Sequence, residues 1–133
     1  MTNLRTRYLA DTIQTASPAQ LLVMLYDRLL LDVDRAASAL EGGDRAAASV
    51  SLVHAQDIVS ELMSTLKVDA WDGAAGLMEV YNFLLRELVD ANVSGNVDKA
   101  RACRDLIEPL RDSWAQAAAS LPAGGVSGEL GVG

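Results

Sequence analysis

The sequence predicts an all-α fold: an antiparallel, up-down-up-down four-helix bundle with a short N-terminal helical cap. Three observations carry this expectation. Half of the residues are hydrophobic yet only 5% are aromatic, with Ala and Leu dominant, a balance that favours helices over strands. Four long segments place apolar residues at alternating steps of three and four, the period of a helix with one buried face. Short stretches containing Gly, Asn or Asp separate those segments, as antiparallel neighbours require.

At 133 residues and 14.1 kDa the chain fits one domain with a single core. It divides into an N-terminal cap segment at 1–16, a bundle at 17–121 and a tail at 122–133. Ser17-Pro18-Ala19-Gln20 opens the first helix. The serine is an N-cap, the proline suits the first helical position, and the glutamine can close a capping box. This helix is expected to reach about Leu40 and to stop at Gly42-Gly43. Asp44 caps a second helix running to roughly Lys67, with a seam of Ala48, Leu52, Ala55, Val59, Leu62 and Leu66. Val68 to Gly76 reads as a connection that includes at most a first helical turn. The third helix carries Leu77, Tyr81, Leu84, Leu88 and Ala91 on one stripe and ends near Asn92, before a turn at Val93 to Asn96. Asn96 caps the fourth helix, whose stripe is Ala100, Cys103, Ile107, Leu110, Trp114, Ala117 and Leu121. Pro109 falls inside that helix, where it removes the hydrogen bond to the Asp105 carbonyl at a cost of roughly 3 kcal/mol. The apolar rhythm continues across it, so a bend is expected, not a break. The Gly-rich tail from Pro122 has the composition of a disordered segment.

Charge and motif content narrow the function. A formal net charge of −7 argues against nucleic acid and anionic membranes as partners. The longest apolar run, Leu21 to Tyr26, is too short to span a bilayer, and the N-terminus shows no signal-peptide pattern. The lone Cys103 fits a reducing, cytoplasmic location. It falls on a core stripe, with no local sign of a base to activate it. Bundles that hold paired metals use Glu-x-x-His pairs on facing helices; the single His54 has no Glu three positions before it. Glycine-rich phosphate loops, dinucleotide fingerprints and nucleophile elbows are missing from the sequence. Neither a metal nor a cofactor is therefore expected. Arg28, Arg35 and Arg86 leave open a small helical enzyme acting on an anionic metabolite, although solvated helix faces account for them more simply.

The first helix poses a question of its own. With Leu22 at zero on a helical wheel, Leu25, Tyr26, Leu29, Val33, Ala36 and Leu40 lie within about 60°, forming a core stripe. Leu21, Met24 and Leu31 lie at about 180–260°, with Arg28 and Arg35 among them, while Asp27 and Asp34 occupy a separate polar strip. The bundle itself leaves this second apolar surface uncovered. Leu4, Tyr8, Leu9 and Ile13 recur at helical spacing just upstream, in a segment too short to form a helix unaided. That segment either completes the core permanently or acts as a replaceable cover, since another amphipathic segment could make similar contacts. A structural bundle that self-associates through the same face is a further alternative.

The residues also carry a family resemblance. Tyr8, Ile13 and Thr15-Ala16-Ser17-Pro18, then Gln20-Leu21-Leu22 and Met24-Leu25-Tyr26-Asp27, resemble the opening of the bacterial flagellar secretion chaperone FliS. The likeness continues through Ala55 to Leu62, Val68 to Gly76, Tyr81 to Leu84, Ala91-Asn92 and Leu110 to Trp114, covering roughly residues 8 to 118. Ala19, Arg28 and Pro109 depart from the usual family pattern.

The resemblance implies a cytoplasmic chaperone without enzyme activity that binds the disordered C-terminal segment of flagellin. Such a protein prevents premature polymerisation and passes subunits to the flagellar export apparatus, whose gate is a second implied partner. Tyr8 and Ile13 match the family's cap and client region; Thr15, Ser17 and Pro18 match the motif that starts the first helix. Tyr8 and Ile13, together with Leu9 and with Leu21, Met24 and Leu31 from the helical wheel, make up the expected client-binding set, while Thr15, Ser17 and Pro18 are expected to cap the helix. Tyr26, Trp71 and Trp114 read as packing anchors, with Trp71 alternatively an exposed loop contact. A monomer or weak homodimer is expected.

Overall fold

The computed structural model describes residues 16–120. Four helices follow one another: α1 (Pro18–Glu41), α2 (Arg45–Thr65), α3 (Ala74–Ser94) and α4 (Val97–Ala119). α1 packs on α2 and α4, and α3 packs on the same two, so α1 and α3 are diagonal. Cross-helix pairs run in opposite directions at every interface. Asp27 and Asp34 meet Arg111 and Arg104, Arg45 meets Asn92, and Lys99 meets Glu87. This is the antiparallel bundle that the periodicity predicts.

Local chemistry sets most helix ends where the sequence places them. The Gln20 backbone N–H donates to the Ser17 hydroxyl at 3.2 Å, and the Ser17 N–H donates to Gln20 Oε1 at 2.8 Å. These two bonds close the capping box and satisfy two orphan donors. Asp44 accepts from Ala47 N–H at 3.0 Å, and Asn96 accepts from Asp98 and Lys99 N–H at 2.9 and 3.2 Å. Gly43 takes the left-handed conformation after α1, with φ 78°. α1 runs to Glu41, one residue past expectation, and α2 stops at Thr65 rather than at Lys67.

α3 differs more. It begins at Ala74, inside the expected connection, and extends to Ser94, through half of the expected turn. The extension has a tertiary cause. Arg45, at the start of α2, donates to the Asn92 and Val93 carbonyls at 3.1 Å each. It thereby satisfies acceptors that the end of a helix leaves unpaired. Gly95 then closes the helix at φ 66°, and the Arg45 guanidinium lies so close that a Cβ there would meet it at 2.6 Å.

The expected stripes form the core. Leu52, Ala55, Val59 and Leu62 of α2 and Leu84, Leu88 and Ala91 of α3 are buried. Tyr26, Leu29, Val33 and Ala36 face them from α1, and Ala100, Cys103 and Ile107 from α4. α4 remains continuous through Pro109, which is exposed. Leu22, Leu25, Leu40, Leu66, Leu110 and Trp114 are half-buried at the edges of the core, and one expected position, Ala117, is exposed. Lys99 pairs with Glu87 and Asp90, a register that sets the start of α3 level with about residue 113 of α4 when both helices advance about 1.5 Å per residue. Ala117 therefore overhangs α3 by a turn. Leu121 lies outside the described residues.

Two tyrosines tie the diagonal. The Tyr26 and Tyr81 hydroxyls hydrogen-bond at 2.5 Å inside the core. Burial raises both phenol pKa values, because a phenolate has no water there to solvate it. Tyr26 is thus a packing residue, and its polar end is matched across the bundle.

Candidate functional site

An apolar groove of about 400 Å³ opens between α1 and α2, lined by Leu21, Met24, Leu25 and Glu61. Its position follows from the helix repeat. Leu21, Met24 and Leu25 succeed one another on the flank of α1 that faces α2, beginning in the first turn after the capping box. Glu61 comes from the last turn of α2. The three α1 side chains are half-buried, so they are held by packing yet keep a free face. Glu61 is exposed and supplies a carboxylate at the rim.

The groove ends at a polar cluster. Two turns beyond Leu25 on α1, Asp32 is only 2% exposed, a rare placement for a carboxylate. His54 Nδ1 of α2 contacts Asp32 Oδ2, and Arg28 Nε lies 3.4 Å from Asp32 Oδ1. Both basic side chains are about half exposed, at 47% each. A buried carboxylate without such partners would be strongly unfavourable.

Leu31, the neighbour of Asp32 in the chain, lies nearly two turns beyond Leu25, is 40% exposed, and is not among the groove residues. Of the expected client-binding set, the structure brings Leu21 and Met24 together and leaves Leu31 apart. Tyr8, Leu9 and Ile13 lie outside the described residues. Sequence reasoning missed two contributors. Leu25 sits at the edge of the core stripe and serves groove and core together. Glu61 points outward on its own helix, and only the α1–α2 register brings it to the groove. Asp32 was also missed: at about 80° from the stripe centre it falls just outside the expected core, and no local pattern ties it to His54.

A second cleft, of about 380 Å³, lies between α1 and α4, lined by Asp34, Glu41, Arg101, Arg104 and Asp105 with smaller side chains. Its charges pair with each other. Arg104 Nε donates to Asp34 Oδ1 at 2.7 Å, and Arg101 pairs with Glu41. Arg111 Nε donates to Asp27 at 2.6 Å further along the same seam. Asp27, Asp34 and Glu41, seven residues apart in turn, thus form the acidic side of an ion-pair ladder. The expected polar strip of α1 faces α4.

Other chemistry finds little support. Cys103 is buried, and its thiol is pushed up to about 12 by desolvation, with Glu87 adding to the shift, so it is poorly suited to nucleophilic work. Arg28 is engaged by Asp32, while Arg86 sits on α3, diagonal to α1. The three arginines that might have gripped an anionic metabolite therefore do not converge. Among the described residues no group of three or more His, Cys, Asp or Glu is placed to hold a metal ion, and no helix is long and apolar enough to cross a membrane.

Comparison with known proteins gives these features a family. Residues 1–121 match the family model described as flagellar protein FliS. The chain is 31% identical over 112 residues to the flagellar secretion chaperone FliS of Bacillus subtilis, covering 84% of each chain. It is 29% identical over 109 residues to the Salmonella typhimurium protein of the same name, covering 80% of each. The Escherichia coli protein of that name is 26% identical over 106 residues, with 78% of each chain covered. These relatives are chaperones, not enzymes. A match across nearly the whole bundle, made to proteins that share one description, shows that the chain belongs to the FliS family of flagellar proteins.

Proposed function

We propose that this chain is a cytoplasmic flagellar export chaperone that captures the disordered C-terminal segment of flagellin. Capture would prevent premature polymerisation and present the subunit to the export gate. The observation that carries the proposal is the groove of Leu21, Met24 and Leu25 between α1 and α2. A chaperone of this kind performs no bond chemistry; it lends apolar surface to a chain that has not yet buried its own. Burying a Leu-sized side chain contributes roughly 1.5–3 kcal/mol. Ordering a disordered segment costs about 2–5 kcal/mol or more. A few anchors therefore suffice for binding that is firm and still reversible.

Tyr8, Leu9 and Ile13 complete the proposed client-binding set, either as a further wall of the groove or as a cover that the client replaces. Leu31 joins it where the client continues along α1, level with the polar cluster. The cap segment at 1–16, the bundle at 17–121 and the tail at 122–133 are the proposed divisions of the chain. It works as a monomer or weak dimer.

Isothermal calorimetry with a synthetic peptide of the flagellin C-terminal segment tests the proposal. One-to-one binding is expected. Leu21→Asp with Met24→Asp should abolish it while leaving the helical circular dichroism unchanged, because both side chains are only half-buried. Normal binding by the double variant would refute the groove as the site. Absence of heat with the wild-type chain would refute flagellin capture altogether.

A further inference from the structure

Trp71, in the connection between α2 and α3, is 43% exposed. Two turns fold that connection back on itself: Ala70 N–H donates to the Lys67 carbonyl and Ala74 N–H to the Trp71 carbonyl, each at 3.1 Å. The indole lies against Gly73. A Cβ on Gly73 would come within 2.8 Å of Trp71 Cε3 and 2.9 Å of Cη2. Backbone conformation does not call for glycine here, since Gly73 has φ −83° and ψ −8°, values that any residue adopts. A Cβ there would push the exposed ring aside. α3 accordingly starts on Gly73 with no side-chain cap, whereas Ser17, Asp44 and Asn96 cap the other three helices. Capping has thus been given up where a large apolar ring is held, still partly in water.

The ring shares one end of the bundle with the groove. Leu21 lies in the first turn of α1, Glu61 lies one turn before the end of α2, and the connection that starts after Thr65 leads directly to Trp71. Val68, in the same connection, is 50% exposed. Val68 and Trp71 of the connection thus stand at the same end of the bundle as Leu21 and Met24 of the groove. We infer that Trp71 is a positioned aromatic contact for the captured flagellin segment, receiving the part of it that leaves the groove past Glu61. This inference rests on flagellin capture and names a contact beyond the groove itself.

The test uses the full chain, with Trp114→Phe as background so that Trp71 is the sole indole. Binding of the C-terminal flagellin peptide should shift the Trp71 emission to the blue and shield it from iodide quenching. Trp71→Ala should weaken calorimetric binding at least about tenfold, the loss typical of a well-packed aromatic anchor. Gly73→Ala displaces the ring without deleting it, and should weaken binding in the same direction with helical circular dichroism preserved. Wild-type peptide binding combined with unchanged emission and unchanged affinity in both variants would overturn the inference and leave flagellin capture standing. Loss of self-association in light scattering for Trp71→Ala, with peptide affinity unaltered, would also overturn it, in favour of a second copy as the occupant. No binding by the wild-type chain would remove the foundation of both.

Discussion

The Tyr26–Tyr81 pair allows a quantitative test of how the core is held together. Both side chains are at most 2% exposed, and their hydroxyls have each other at 2.5 Å. Replacing Tyr26 with Phe removes one oxygen and leaves the Tyr81 hydroxyl buried without its partner. An orphaned polar group of this kind costs about 1–3 kcal/mol, whereas the net value of the intact bond is only about 0.5–1.5 kcal/mol. Tyr81→Phe should cost less, because the Tyr26 hydroxyl keeps Trp114 as a hydrogen-bonding neighbour. The double variant orphans neither hydroxyl, so it should be no less stable than Tyr26→Phe alone, with a coupling energy of roughly 1–2 kcal/mol. Urea denaturation followed by circular dichroism measures this directly. With a slope of about 1–3 kcal/mol per molar urea, Tyr26→Phe should lower the midpoint by about 1 M at unchanged slope. Strictly additive losses would show that the hydroxyls do not depend on each other, and that volume and packing alone fix this part of the core.

Other consequences concern titration, the polar cluster and α4. The Cys103 thiol is pushed from its ordinary 9.0 up to about 12, so above pH 9 the unfolded chain releases a proton that the folded chain retains. The contribution of this thiol should therefore be constant below pH 9, and stability should fall by about 1.4 kcal/mol per pH unit as pH rises toward 12. The tyrosines steepen the loss above pH 10, and Cys103→Ala should remove the onset between pH 9 and 10 in pH-dependent urea melts. His54→Ala leaves Asp32 buried with Arg28 as its partner and should lower stability by about 1–3 kcal/mol. Adding Asp32→Leu should recover most of that loss, as expected when a buried pair is replaced by apolar packing. Pro109→Ala restores a backbone donor at an exposed helical position and should raise the melting temperature, by up to roughly 3 kcal/mol in stability. An unchanged melting temperature would mean that the helix has adapted fully to the ring.

Much of this architecture is legible in the sequence because its causes are local. Ser17, Asp44 and Asn96 cap through bonds that span two or three residues, and buried stripes follow from a repeat of 3.6 residues per turn. Helix number, order, most termini and the core faces are therefore written along the chain. The same wheel separates Leu21 and Met24 from the core stripe. It cannot separate a surface that is free from one that a neighbouring helix covers.

What the chain alone leaves open depends on register between helices distant in sequence. Nothing near Arg45 indicates that it completes the far end of α3, and nothing near Asp32 indicates that His54 meets it across an interface. Asp27 and Asp34 show as a polar strip, but only packing reveals that Arg111 and Arg104 face them from α4. The Tyr26–Tyr81 bond and the joining of Glu61 to the groove have the same origin. Periodicity fixes the direction of a side chain around its own axis, whereas its partner is chosen by rotation and axial offset between two axes. Those are set by the packing of the whole core at once, and so the groove, with the polar cluster that ends it, exists only in the folded bundle.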